Sequence, residues 1–270
     1  MSGNWRHRLL LALALGVATK GVLEQTDPVS PLPYPRGIAR LAELGFLTSP
    51  VAQNVILAAV VAMLALFVSG RRPQLAGWTL VGIALVTHAV VRSVHAQEAD
   101  RTQGSQEPYA TLIAWLIGTK VAKRFGREPE ELGASLACGV VAAGYSMAAL
   151  SKLMHSGIHW VDGRAMALLI YERAGQVPAP FSDLRYAAAS HPLVCKLAMG
   201  SALVLESCGW FFLFTRLRRP FAAGVLCLHV SSGLLLGYTH FDWALTAIAW
   251  AVAAGAPLRR ATVARAGHTG

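Results

Sequence analysis

Val51-Ala52-Gln53-Asn54-Val55-Ile56-Leu57-Ala58-Ala59-Val60-Val61-Ala62-Met63-Leu64-Ala65-Leu66-Phe67-Val68-Ser69 contains no charged side chain. A helix needs about 20 mostly apolar residues to cross the hydrocarbon core of a bilayer, so this stretch predicts a transmembrane helix. Working outward, comparable runs lie near Leu9–Leu23, Leu75–Val94, Tyr109–Thr119, Leu132–Met154, Leu193–Phe214, Phe221–Tyr238 and Phe241–Ala256. The first and fourth runs are short. Lys20 and Lys120 stand where these two would end, and a lysine stem can carry its charge to the interface. Tyr109–Thr119 also admits a re-entrant or peripheral reading. The expected fold is an all-α polytopic membrane bundle of about eight transmembrane helices.

Composition agrees. Over 270 residues the chain is 54% hydrophobic and only 14% charged, with a mean hydropathy of +0.47. A soluble domain carries about 25% charged residues. The net charge of +10 would suggest nucleic acid in a soluble protein, but here its distribution matters more. With the N-terminus placed in the cytoplasm and eight alternating spans, the cytoplasmic segments hold Arg6, Arg8, Arg71, Arg72, Lys120, Lys123, Arg124, Arg127, Arg216, Arg218, Arg219, Arg259, Arg260 and Arg265 against Glu128, Glu130 and Glu131. That side is strongly basic and the remainder is nearly neutral, as the positive-inside rule requires. Both termini are therefore expected in the cytoplasm, and no nucleic-acid partner is expected. Asn4–Arg8 before Leu9–Val17 resembles a signal peptide, but no cleavage site follows, so an uncleaved first helix is expected.

Two longer segments are expected outside. In Glu24–Pro50, Pro28, Pro31, Pro33 and Pro35 favour an extended chain. In His155–Pro192, the spacing of Met166, Leu169, Ile170 and Arg173 predicts an amphipathic helix lying on the outer surface, ended by Pro178 and Pro180. Cys138, Cys195, Cys208 and Cys227 form no C-x-x-C pair, which argues against a redox motif or a structural zinc site.

Ionisable residues within apolar spans mark candidate sites. His88, Arg92 and His95 share one helix face and either line a cavity or reach the interface. Glu206 and His229 lie on successive spans and either meet in a structural hydrogen bond or act in catalysis. His240 and Asp242 open the last span. Lys152, His155 and His159 follow Tyr145 at the end of the fifth span. His155 and His159 have the spacing of two metal ligands on one helix, yet further ligands are lacking and no metal is expected. Lys152 either snorkels outward or faces a dry cavity, where a lysine can serve as a base.

The run Tyr145-Ser146-Met147-Ala148-Ala149-Leu150-Ser151-Lys152-Leu153, followed by Trp160-Val161-Asp162-Gly163, resembles the HTTM domain, the membrane domain of vitamin K-dependent γ-carboxylases and of shorter bacterial proteins. Glu206, Arg218-Arg219, His229, Phe241 and Trp250 extend the resemblance. It implies an HTTM-like transmembrane domain over 1–258, a short basic cytoplasmic tail over 259–270, and a bacterial cytoplasmic membrane. In that family the lysine seven positions after the tyrosine deprotonates reduced vitamin K, and the quinol anion reacts with oxygen to give a strong base. By resemblance Lys152 takes that role, with His229 beside it. Tyr145, Trp160, Gly163, Glu206, His88 and Arg92 would line the pocket of a quinol such as reduced vitamin K or menaquinol. Ser151 replaces the first of the family's two adjacent lysines, and Lys152 is further from Trp160 than in the carboxylases. No large lumenal domain follows the eighth run, so carboxylation of a protein glutamate is not expected. Three function classes stand: an enzyme acting on a lipid-soluble substrate, a maturation or immunity partner of a secreted peptide, and a small transporter.

Overall fold

The computed structural model describes residues 5–24, 42–94, 106–175, 180–237 and 240–253. Among these, all regular structure is helical: α1 (Trp5–Glu24), α2 (Pro50–Ser69), α3 (Pro73–Val94), α4 (Glu107–Val121), α5 (Pro129–Ser156), α6 (Arg164–Ala174), α7 (Phe181–Ser190), α8 (Pro192–Ser207), α9 (Thr215–Leu236) and α10 (Phe241–Ala253), with short 3-10 turns between some of them. Proline opens α2, α4, α5 and α8. Its missing N–H costs nothing in the first turn and its ring presets the helical φ. The proline-rich residues 28–35, His95 and the basic tail lie outside the described residues.

Among the described residues, seven of the eight apolar runs each centre on a single helix. Among the described residues, four helices are long and apolar enough to cross a membrane: α2, α3, α5 with its 3-10 extension, and α9. A fifth span is counted if α7 and α8, bent by 93° at His191, act together. The run Leu193–Phe214 is not one straight helix. α8 stops at Ser207, and a 3-10 turn over Gly209–Leu213 carries the chain into α9. The Tyr109–Thr119 run is a short inner helix, with Tyr109, Leu112, Trp115 and Leu116 all buried.

α4 and α5 pack more intimately than any other pair. A methyl group added to Gly118 would lie 2.7 Å from the Gly133 Cα, and one added to Gly133 would lie 2.8 Å from the Trp115 ring. Two facing glycines thus let the backbones touch. At the same end Arg8 of α1 pairs with Glu130 of α5 at 2.9 Å, and Glu130 Oε2 accepts a bond from the Trp115 indole at 3.3 Å. His7 rests against Trp250 of α10, with ring centroids 6.1 Å apart. The beginnings of α1 and α5 and the ends of α4 and α10 are thereby gathered at one pole.

The amphipathic helix expected near residue 164 forms, but its apolar side is already occupied. Met166 and Ile170 pack with Ala189 of α7 and Cys195 of α8, so this face is covered by protein. Arg185 of α7 is buried and donates from Nε to the Leu234 carbonyl at 2.7 Å and from its terminal nitrogen to the Gly233 carbonyl at 3.2 Å. α7 is thus fastened to the last turn of α9.

Because the α4–α5 contact leaves no room for a side chain, Gly118→Ala should destabilise the chain by about 1–3 kcal/mol. Thermal unfolding in detergent measures this; an unchanged midpoint would show that the two backbones are free to separate.

Candidate functional site

α5 carries Tyr145 and Lys152 seven residues apart, which puts them on one face two turns from each other. Side chains on a helix lean toward its N-terminus. From Lys152 that direction is back along α5 toward Tyr145, and the ammonium meets the Glu206 carboxylate of α8 in an ion pair that engages both carboxylate oxygens. The Lys152 side chain is 23% exposed and that of Glu206 10%. Lys152 Nζ also stands 5.3 Å from the centre of the Trp160 ring, close enough for a cation–π attraction. The Trp160 indole N–H is buried and has no hydrogen-bond partner among the described residues.

Two turns deeper, the Tyr145 hydroxyl and His229 Nε2 share a hydrogen bond of 3.1 Å. Both residues are buried. An aromatic shell holds them: Phe221 lies 5.6 Å from Tyr145, Trp243 lies 6.1 Å from both Tyr145 and His229, and His240 stands 5.9 Å from His229. The Lys152 charge is within electrostatic reach of His229, and that of Glu206 within reach of Tyr145. The ion pair and the tyrosine–histidine pair therefore make one polar patch inside an apolar bundle.

Five of the candidate residues, Tyr145, Lys152, Trp160, Glu206 and His229, thus come together, though in different pairs from those read in the sequence. Glu206 meets Lys152 rather than His229, and His229 meets Tyr145. Lys152 neither snorkels outward nor stands as a free amine.

Gly163 is placed by backbone need. Its φ of +81° falls in the left-handed region, and an added Cβ would lie 2.9 Å from both Cys195 Cβ and Lys196 N. It lets the loop turn into α6 against α8. His88 packs edge-on to Tyr109 of α4, with centroids 6.2 Å apart. Arg92 lies in the last turn of α3; its side chain is outside the described residues. The His155–His159 pair does not share one helix face, because α5 ends at Ser156 and Gly157 turns the chain at φ 58°. Both histidines are exposed, and His155 Nδ1 donates to the Ser151 carbonyl at 2.8 Å. No group of three or more metal-ligating side chains gathers among the described residues. Cys138, Cys195, Cys208 and Cys227 are all unbridged.

A groove of about 410 Å³ lies elsewhere, lined by Leu47, Ile56, Thr79, Gly82, Ile83, Val86 and Thr87. It has no titratable side chain and offers no chemistry. Sequence reasoning missed Trp243 and Glu107. Trp243 is placed by the first turn of α10. Glu107, standing just before a proline at the end of a loop, reads as an ordinary helix-starting acid, yet it is buried.

No family model, curated protein or solved structure matches the chain.

Removing one member of a buried ion pair strands the other charge, at a cost of about 3–5 kcal/mol, whereas replacing both with apolar residues is often close to neutral. Glu206→Leu should therefore unfold the chain at clearly lower temperature, and Lys152→Met combined with Glu206→Leu should recover most of the loss. A double variant no more stable than the single one would mean that the pair is not coupled.

Proposed function

We propose that this chain is an eight-span protein of a bacterial cytoplasmic membrane, with both termini on the cytoplasmic side, that acts as an enzyme on a quinol or similar lipid-soluble molecule at the Lys152–Glu206–Trp160 patch. The observation that carries the reading is the half-buried lysine in contact with a carboxylate and an aromatic face, one helix turn-pair above a buried tyrosine–histidine bond. The resemblance of residues 145–163 to the HTTM domain points the same way.

The residues fit a quinol. The unpartnered Trp160 indole N–H offers a donor to a ring oxygen, and the Trp160 face offers a stacking surface beside Lys152. A bound quinol would supply an acidic ring hydroxyl and two reducing equivalents. For Lys152 to accept that proton, it must first lose its own. Glu206 is placed to take it: transfer across the existing contact would leave an amine on Lys152 and a carboxylic acid on Glu206. Lys152 then accepts the hydroxyl proton as an amine. His229 and Tyr145 fix the floor of the patch, and His229 orients the Tyr145 hydroxyl. Trp243 and Phe221 keep water from that bond.

The topology is tested with reporter fusions. A fluorescent protein fused after residue 270 should fold and fluoresce, whereas a periplasm-dependent phosphatase at the same point should stay inactive; an active phosphatase there would reverse the assigned orientation. For the chemistry, purified protein is given reduced vitamin K and oxygen, and quinone epoxide is quantified by mass spectrometry. Wild type should form epoxide and Lys152→Ala should lose at least tenfold of it, equivalent to about 1.4 kcal/mol of barrier. Equal amounts from the two proteins would remove Lys152 from the reaction. No epoxide from folded wild type would oppose the quinol reading and favour a peptide-partner role.

A further inference from the structure

Cations from separate stretches of the chain meet at the pole where Arg8 holds Glu130. Two contacts bring the turn between α2 and α3, Gly70-Arg71-Arg72-Pro73, to this place. The Arg8 guanidinium lies so close to Gly70 that a Cβ added there would collide with it. Gln74, in the first turn of α3, donates its side-chain amide to the Thr119 hydroxyl in the last turn of α4. Arg72 is two residues from one end of this bond, and Lys120 is next to the other. Lys123 and Arg124 follow on the 3-10 turn after α4.

Some of the charge at this pole is already matched. Arg8 is engaged by Glu130, and Arg127 by Glu131. Arg71, Arg72, Lys120, Lys123 and Arg124 are all exposed, and none forms an ion pair among the described residues. The positive-inside rule accounts for cations on this side of a membrane. It does not account for their convergence from two connections onto one surface.

One turn further along the helices, the surface becomes apolar. Leu75 and Trp78 of α3 are 54% and 41% exposed and, at i and i+3, share one face. Ile117 of α4 is 44% exposed and stands one turn before Lys120. α2 and α3, which the basic turn joins, are both long and apolar enough to cross a membrane. A free phosphate or a nucleic acid would use the cations and leave the apolar strip bare. A ligand with an anionic head and a hydrocarbon tail uses both.

We propose that Arg71, Arg72, Lys120, Lys123 and Arg124 bind the phosphodiester headgroup of an anionic phospholipid, with an acyl chain lying along Leu75, Trp78 and Ile117. The guanidinium groups supply paired donors to phosphate oxygens, and the ammonium groups supply compact charge. An indole at the level of the headgroups is a common interfacial anchor, which suits the place of Trp78. The site rests on the membrane reading above and is independent of the quinol chemistry.

The full chain in detergent is titrated with phosphatidylglycerol or with phosphatidylcholine of the same acyl chains, and bound lipid is counted by native mass spectrometry. Wild type should prefer phosphatidylglycerol by about tenfold or more. Arg72→Gln combined with Lys120→Gln should lose most of that preference while phosphatidylcholine binding stays unchanged. Arg164→Gln combined with Lys196→Gln removes as much charge elsewhere and should keep it. No preference in wild type, or one that survives the first double variant, overturns the proposal. Equal loss in both double variants also overturns it, since overall charge would then be responsible. Displacement of the lipid by inorganic phosphate or a single-stranded oligonucleotide at the lipid's own concentration overturns it in favour of a free anion or a nucleic acid. Should the first double variant fail to fold, Arg71→Gln with Arg124→Gln decides by the same criterion. A chain that stays in the soluble fraction of a cell extract would overturn the membrane reading as well; loss of the preference in a chain that sediments with membranes overturns this site alone.

Discussion

A polar side chain on an apolar helix has no water to turn to, and that single constraint organises this bundle. Several such groups find a partner on another helix, and each of these partnerships fixes two helices relative to each other. Arg8 and Glu130 join α1 to α5. Lys152 and Glu206 join α5 to α8, and Tyr145 and His229 join α5 to α9. α5 is the common member of all three, and its length of about 40 Å at 1.5 Å per residue exceeds the hydrocarbon thickness of about 30 Å. It acts as the post on which the polar contacts are hung, from the basic pole to the Lys152 patch.

The helical architecture was legible because hydropathy alone marks it. Seven of the eight apolar runs each centre on a single helix among the described residues, and Pro50, Pro73, Pro108, Pro129 and Pro192 stand in the first turns of five helices. What the runs could not disclose was how straight each helix is. Leu193–Phe214 reads as one span, yet Gly209 lies so close to α5 that an added Cβ would stand 2.8 Å from the Ala142 carbonyl, and there the α-helix gives way to a 3-10 turn. Close backbone approach is a property of two helices together, and a one-dimensional pattern carries no record of the second.

The candidate site was legible to a similar degree. The seven-residue spacing of Tyr145 and Lys152 predicted a shared face, and that follows from helix geometry alone. Pairing across helices did not follow. Glu206 and His229 looked like natural partners because they lie on successive spans, but the 3-10 turn at Gly209 sets them against different levels of α5. His155 and His159 looked like a ligand pair only while the helix was assumed to continue past Ser156. Glu107 went unnoticed because its depth depends on α4 sinking into the bundle, which the glycine contact at Gly118 and Gly133 permits.

Arg185 shows a different kind of fastening. Its largely buried guanidinium caps the carbonyls at the negative end of the α9 dipole. Dissolved ions weaken exposed pairs such as Arg127 and Glu131 but penetrate such an enclosure little. The clasp between α7 and α9, a buried cation on two carbonyls, is consequently less sensitive to ionic strength than such exposed pairs.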